Sequence, residues 1–64
     1  MKLCKIQHAC HLWKTEKSHA THNGTLLAGD VCLMLDAERY EYMALVCGPT
    51  GAIGYLYKTN LVEL

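Results

Sequence analysis

Six side chains before Asn23, Cys4, His8, Cys10, His11, His19 and His22, have the chemistry to ligate a metal or to run nucleophilic catalysis. Zinc is held tetrahedrally by thiolate and imidazole, so this set has the composition of a closed structural site. Its spacing points elsewhere. There is no Cys-x-x-Cys knuckle, and Cys4, His8 and Cys10 share a face only along a straight strand. His19 and His22 offer half a site in a loop. Buried cysteines with exposed loop histidines are the simpler reading, so the metal assignment is none, with Cys4, His8, Cys10, His19 and His22 as reserve ligands of a zinc-stabilised alternative.

Catalysis fares no better. Cys10 and His11 are neighbours, and neighbours on a strand point to opposite faces, where they cannot share a proton. No Gly-rich phosphate loop precedes a helix, and Asp36, Glu38 and Glu41 crowd one segment as a solvated rim. The expectation is a protein that is not an enzyme and needs no cofactor. What remains is aromatic surface. Trp13, Tyr40, Tyr42, Tyr55 and Tyr57 are all of the aromatic residues, and Trp and Tyr are the types most enriched where binding energy concentrates. Trp13, Tyr40 and Tyr42, with His19 and His22 of the long polar loop, form the expected partner-binding set on one connected surface.

The elements that must carry these residues are short. Residues 3–14 alternate, with Cys4, Ile6, His8, Cys10 and Leu12 on the more apolar side, which predicts one bent strand; a helix is the competing pattern, because Leu3, Ile6, Cys10 and Trp13 also fit a 3-4 spacing. Thr15 to Asn23 is a polar loop ending in Asn23-Gly24, a positive-φ turn signal. After Gly29-Asp30, Val31 to Leu35 and Tyr40 to Cys47 are strands apolar on both faces, the pattern of a sheet covered on both sides. Gly48-Pro49-Thr50-Gly51 closes a hairpin, with Pro49 pre-set for the first central turn position. Ala52 to Tyr57 returns, Lys58-Thr59-Asn60 makes a tight or 3₁₀ turn, and Leu61 to Leu64 is the last strand.

A chain of 64 residues is one domain, 1–64, and it buries only about 60% of its unfolded surface on folding. Apolar residues make up 52% of it, and six basic against six acidic side chains give zero net charge. Neutrality favours association and disfavours nonspecific nucleic-acid binding, which needs basic excess to displace counterions. A local basic patch of Lys2, Lys5, Lys14 and Lys17 is what remains of that second alternative. No secretion signal and no apolar run of membrane-spanning length is visible, so the expected location is the cytoplasm, with the four cysteines reduced.

Three stretches carry a family resemblance. Leu27-Ala28-Gly29-Asp30-Val31 resembles the entry to the second strand of an SH3-like barrel. Gly54-Tyr55-Leu56 resembles its fourth strand, and Thr59-Asn60-Leu61-Val62-Glu63-Leu64 is similar to its 3₁₀ turn and closing strand. The bacterial SH3 variety is the nearer match, with Ala9 to Trp13 as its opening strand. The resemblance implies an all-β fold, a small five-stranded SH3-like barrel with one 3₁₀ turn. Where the peptide-binding kind carries a proline and a tyrosine near that turn, this chain has Lys58 and Asn60 or Leu61, and its long loop has the single acid Glu16, so the polyproline groove is not expected. The functional expectation is a small non-catalytic module that binds a larger protein, inhibiting or tethering it, or that forms a homodimer, and takes neither membrane nor small-molecule substrate.

Overall fold

The computed structural model describes residues 1–17 and 21–64. Seven strands and one turn of 3₁₀ helix follow in chain order: β1 (Lys2–Ile6), β2 (Cys10–Trp13), β3 (His22–Leu26), β4 (Val31–Asp36), β5 (Met43–Cys47), β6 (Ile53–Tyr57), the 3₁₀ turn (Lys58–Asn60) and β7 (Leu61–Glu63). All seven belong to one antiparallel sheet, ordered β3-β2-β6-β5-β4-β1-β7. The molecule is all-β, and no described helix is long and apolar enough to cross a membrane.

The expected five-stranded closed barrel is corrected on two counts. Residues 3–14 are two strands, because the chain breaks at Gln7 to Ala9. There the His8 N–H donates to Asn60 Oδ1 at 2.8 Å and Asn60 Nδ2 donates to the His8 carbonyl at 2.9 Å, which pins the link to the 3₁₀ turn. Asn23 and Gly24, read as a turn, lie inside β3, where Gly24 takes φ of 143°. No ladder joins β3 to β7 among the described residues, so the sheet is not a closed barrel. It is nonetheless strongly curled. A single flat sheet is about 10 Å thick, whereas the shortest extent of this molecule is 19 Å. Inward side chains of β1 to β6 meet in one core built on Cys4, Ile6, Leu12, Leu26, Cys32, Ala44, Val46 and Leu56.

Side-chain alternation explains the core. Cys4 and Ile6 on β1, and Cys10 and Leu12 on β2, keep the expected inward parity on either side of the break, while His8, expected on the same side, falls in the break and is exposed; on β5 the inward pair is Ala44 and Val46. Turns set the register. Asp30 accepts from the Leu27 N–H at 2.9 Å while Gly29, at φ 91°, donates to the Ile6 carbonyl, so the β3–β4 connection is tied to the end of β1. Gly51, at φ 89°, donates to the Gly48 carbonyl and closes the β5–β6 hairpin around Pro49. Gly54 is needed for a different reason. A Cβ there would stand 2.9 Å from both Leu12 Cβ and the Trp13 carbonyl oxygen, so its absence lets β6 lie against β2.

Candidate functional site

The outer face of this curled sheet is where the sequence and the fold disagree with ordinary solvation. An antiparallel sheet with one free face normally alternates apolar inward and polar outward. Here Ile53, Cys47, Leu33 and Leu3 stand directly opposite one another across β6, β5, β4 and β1, and the Leu64 N–H donates to Leu3 to extend the row to the flank. Val31 and Val62 lie beside it, opposite Lys5 from either side. Ile53 is 48% exposed and Leu3 56% exposed. Among the strand residues of this face, Lys5 is charged and so, past the bulge at the end of β4, is Asp36 opposite Leu45.

A second row carries the aromatics. Trp13 on β2 is opposite Tyr55 on β6, and Tyr55 is opposite Leu45 on β5. His22 on β3 is opposite Trp13 and stacks on His11 with ring centroids 4.2 Å apart. Trp13 meets His11 edge-on at 5.2 Å and His22 at 6.1 Å. The His11 Nδ1 and Thr25 Oγ1, opposite each other across β2 and β3, are in hydrogen-bond contact at 3.0 Å. From the loop before β5, Tyr40 comes edge-on to Tyr55 at 5.6 Å, and the Arg39 guanidinium lies 5.9 Å from the Tyr40 ring centre. The Tyr40 phenol is pushed up, by desolvation first and then by the charge of Glu16. One band therefore runs His11, His22, Trp13, Tyr55, Tyr40, and aromatic pairs of this kind stabilise by about 0.5–1.5 kcal/mol beyond their burial.

Beside the band, the clamp between His8 and Asn60 shapes a cleft of about 360 Å³ lined by Gln7, His8, Cys10, His11, Trp13, Leu56, Tyr57, Thr59 and Asn60. It holds two imidazoles and no carboxylate. A second cleft, of about 400 Å³, is acidic: Asp36, Glu38 and Glu63 line it with Lys2, which is already 3.3 Å from Glu63.

Of the expected partner-binding residues, Trp13, His22 and Tyr40 belong to the band, joined through Tyr55. Tyr42 does not. It is 68% exposed in the loop, its carbonyl accepts from the Lys58 N–H, and its ring has no aromatic partner among the described residues. His19 lies outside the described residues. His11 and Tyr55 were not in the expected set; the outward alternation His11-x-Trp13 on one strand was the signal for the first, and only the β2–β6 pairing reveals the second. The reserve metal ligands are divided between surfaces. Cys4 and Cys10 point inward, His8 sits at the cleft and His22 on the outer face, and no group of three or more His, Cys, Asp or Glu among the described residues is placed to hold a metal ion. Burial pushes the Cys4, Cys10 and Cys32 thiols up, which keeps them protonated. Nor do the early lysines form one strip: β1, with Lys2 and Lys5, is separated from β2, which leads into Lys14, by three strands. No family model, curated protein or solved structure matches this chain significantly.

Proposed function

We propose that the chain is a small non-catalytic interaction module, SH3-like in descent, that acts in the cytoplasm by occupying a surface of a larger protein. The observation that carries this reading is the outer face of the sheet: one apolar row, Ile53, Cys47, Leu33 and Leu3, across its central strands, with a second row beside it that carries the aromatic band. Free water is a poor partner for such a face, and covering it with a complementary protein surface removes apolar area from solvent at about 25 cal/mol per Å². The band supplies the residue types that anchor such contacts, held by ring packing and strand pairing, so little side-chain freedom remains to be lost on binding.

Affinity capture from the cytoplasm of the source cells, with the chain immobilised, tests this reading. Wild type is expected to retain a distinct protein that the doubly substituted Trp13→Ala, Tyr55→Ala chain releases, with both baits folded by circular dichroism. Equal retention on both baits overturns the assignment of this face. Sedimentation of the pure chain over micromolar to millimolar concentration distinguishes a second copy as the occupant.

A further inference from the structure

The four cysteines are not equivalent, and two of them form a pair. Cys4 on β1 and Cys32 on β4 are directly opposed across an antiparallel ladder, and both are buried on the inner face, at 0% and 2% exposure. Two residues further along, the Ile6 N–H donates to the Asp30 carbonyl at 2.9 Å. Ladder bonds recur at every second residue, so Cys4 and Cys32 occupy a hydrogen-bonded pair, whose Cα atoms stand about 5.5 Å apart. That separation lies within the Cα span bridged by disulfides, about 4.4–6.8 Å. The Cβ atoms of a hydrogen-bonded pair stand about 5.5 Å apart, so the two strands must draw together by about 1 Å as the bond forms. Cys10 and Cys47 are placed otherwise. Cys10 packs against the same core from β2, but its ladder partner is Leu26 and no cysteine faces it across a strand pair, and Cys47 is on the outer face opposite Leu33.

We propose that Cys4 and Cys32 are a covalent modification site: they join in an intramolecular disulfide when the chain folds in the presence of a low-molecular-weight disulfide such as oxidised glutathione. A thiolate of one cysteine attacks a sulfur of the small disulfide, expels one small thiolate and leaves a mixed disulfide on the protein. The second cysteine's thiolate then displaces the remaining small thiolate and makes the Cys4–Cys32 bond. The protein loses two electrons and two protons, and the small disulfide is reduced to two thiols that take them up. Timing follows from burial. In the folded chain the Cys32 thiol is pushed up to about 11, by desolvation first and then by Cys4 ahead of the other two cysteines. Almost no thiolate exists there at neutral pH, so the exchange belongs to the unfolded or opening chain, and a bond once made is shielded from reductant.

The test exploits an accident of the sequence: cleavage after Lys2, Lys5, Lys14, Lys17, Arg39 and Lys58 leaves each cysteine on its own peptide, 3–5, 6–14, 18–39 and 40–58. The full chain is unfolded, refolded in a reduced and oxidised glutathione mixture, alkylated, cut with trypsin and weighed. The expected product is peptide 3–5 joined to 18–39, with 6–14 and 40–58 alkylated. The bridged protein should melt about 10 °C or more above the reduced one, since the bond closes a loop of intermediate length in a small domain. The combined Cys10→Ser, Cys47→Ser chain should form the same bridge. Four alkylated cysteines, or a bridge that includes peptide 6–14 or 40–58 as the main species, overturns the proposal. Both outcomes are read on the wild-type chain, so neither depends on a Cys4→Ser variant folding.

Discussion

The two faces of the one sheet are both apolar, and they differ in what covers them. On the inner face Leu12, Leu56, Ile6, Val46 and Cys4 are each at most 1% exposed, because the curl brings strands from across the sheet over one another. On the outer face Leu3, Val31, Ile53 and Val62 keep about half of their surface open, and nothing among the described residues folds back to cover them. Inner residues are explained by stability alone. Outer residues such as Ile53 and Leu3 are of the same chemical kind without that explanation, and this difference is what the proposed contact surface accounts for.

The contrast can be broken first at the core. Leu12→Ala should cost about 2–5 kcal/mol, the range for removing a buried leucine that leaves a cavity, and in a domain of this size most of the population should unfold. Urea or thermal melts read this directly. On the outer face the opposite division is expected: Trp13→Ala should weaken partner binding by about 2 kcal/mol or more, the scale of an anchoring aromatic, and leave the chain folded, with a lower melt from the lost ring contacts but a smaller drop than Leu12→Ala. An unfolded Trp13→Ala would move that residue to the structural side of the comparison. Gly54→Ala probes the close approach of β6 to β2, since the added methyl meets the Leu12 Cβ and the Trp13 backbone. Overpacking against rigid atoms should cost about 1–3 kcal/mol in stability, and the strand shift should also disturb the Trp13 and Tyr55 pair, visible as a change in tryptophan emission. Tyr42→Ala should do least, within about 0.5 kcal/mol in stability and with unchanged affinity, because its ring stands apart from the band. A large loss of binding there would extend the contact surface to the loop before β5.

Much of the inner face was legible. Period-two alternation placed Cys4, Ile6, Cys10 and Leu12 together because burial on one side of a strand writes itself locally, whereas on β5, apolar on both faces, it left open that Ala44 and Val46 are the inward pair. The turn residues Gly29, Asp30 and Gly51 were legible for the same reason. The break at Gln7 to Ala9 was not, because it depends on Asn60, more than fifty positions away. The stacking of His11 on His22 depends on the bulged register of β2 against β3, and the place of Tyr55 at the middle of the band depends on β6 lying beside β2. Tyr40 and Tyr42 looked alike as strand residues. The strand starts only at Met43, so both fall in the loop, and Tyr55 captures one of them.

Photo-crosslinking tests the central claim most directly. A benzophenone amino acid replaces Tyr55, in the middle of the outer face, or Thr50, at the tip of the β5–β6 hairpin, and each chain is irradiated in its own cell extract. An interaction face predicts a discrete adduct from position 55, with either another protein or a second copy of the chain, and none from position 50. Adducts from position 50 alone, or none from position 55 while the chain is folded, would contradict the assignment of the outer face as the surface through which this protein works.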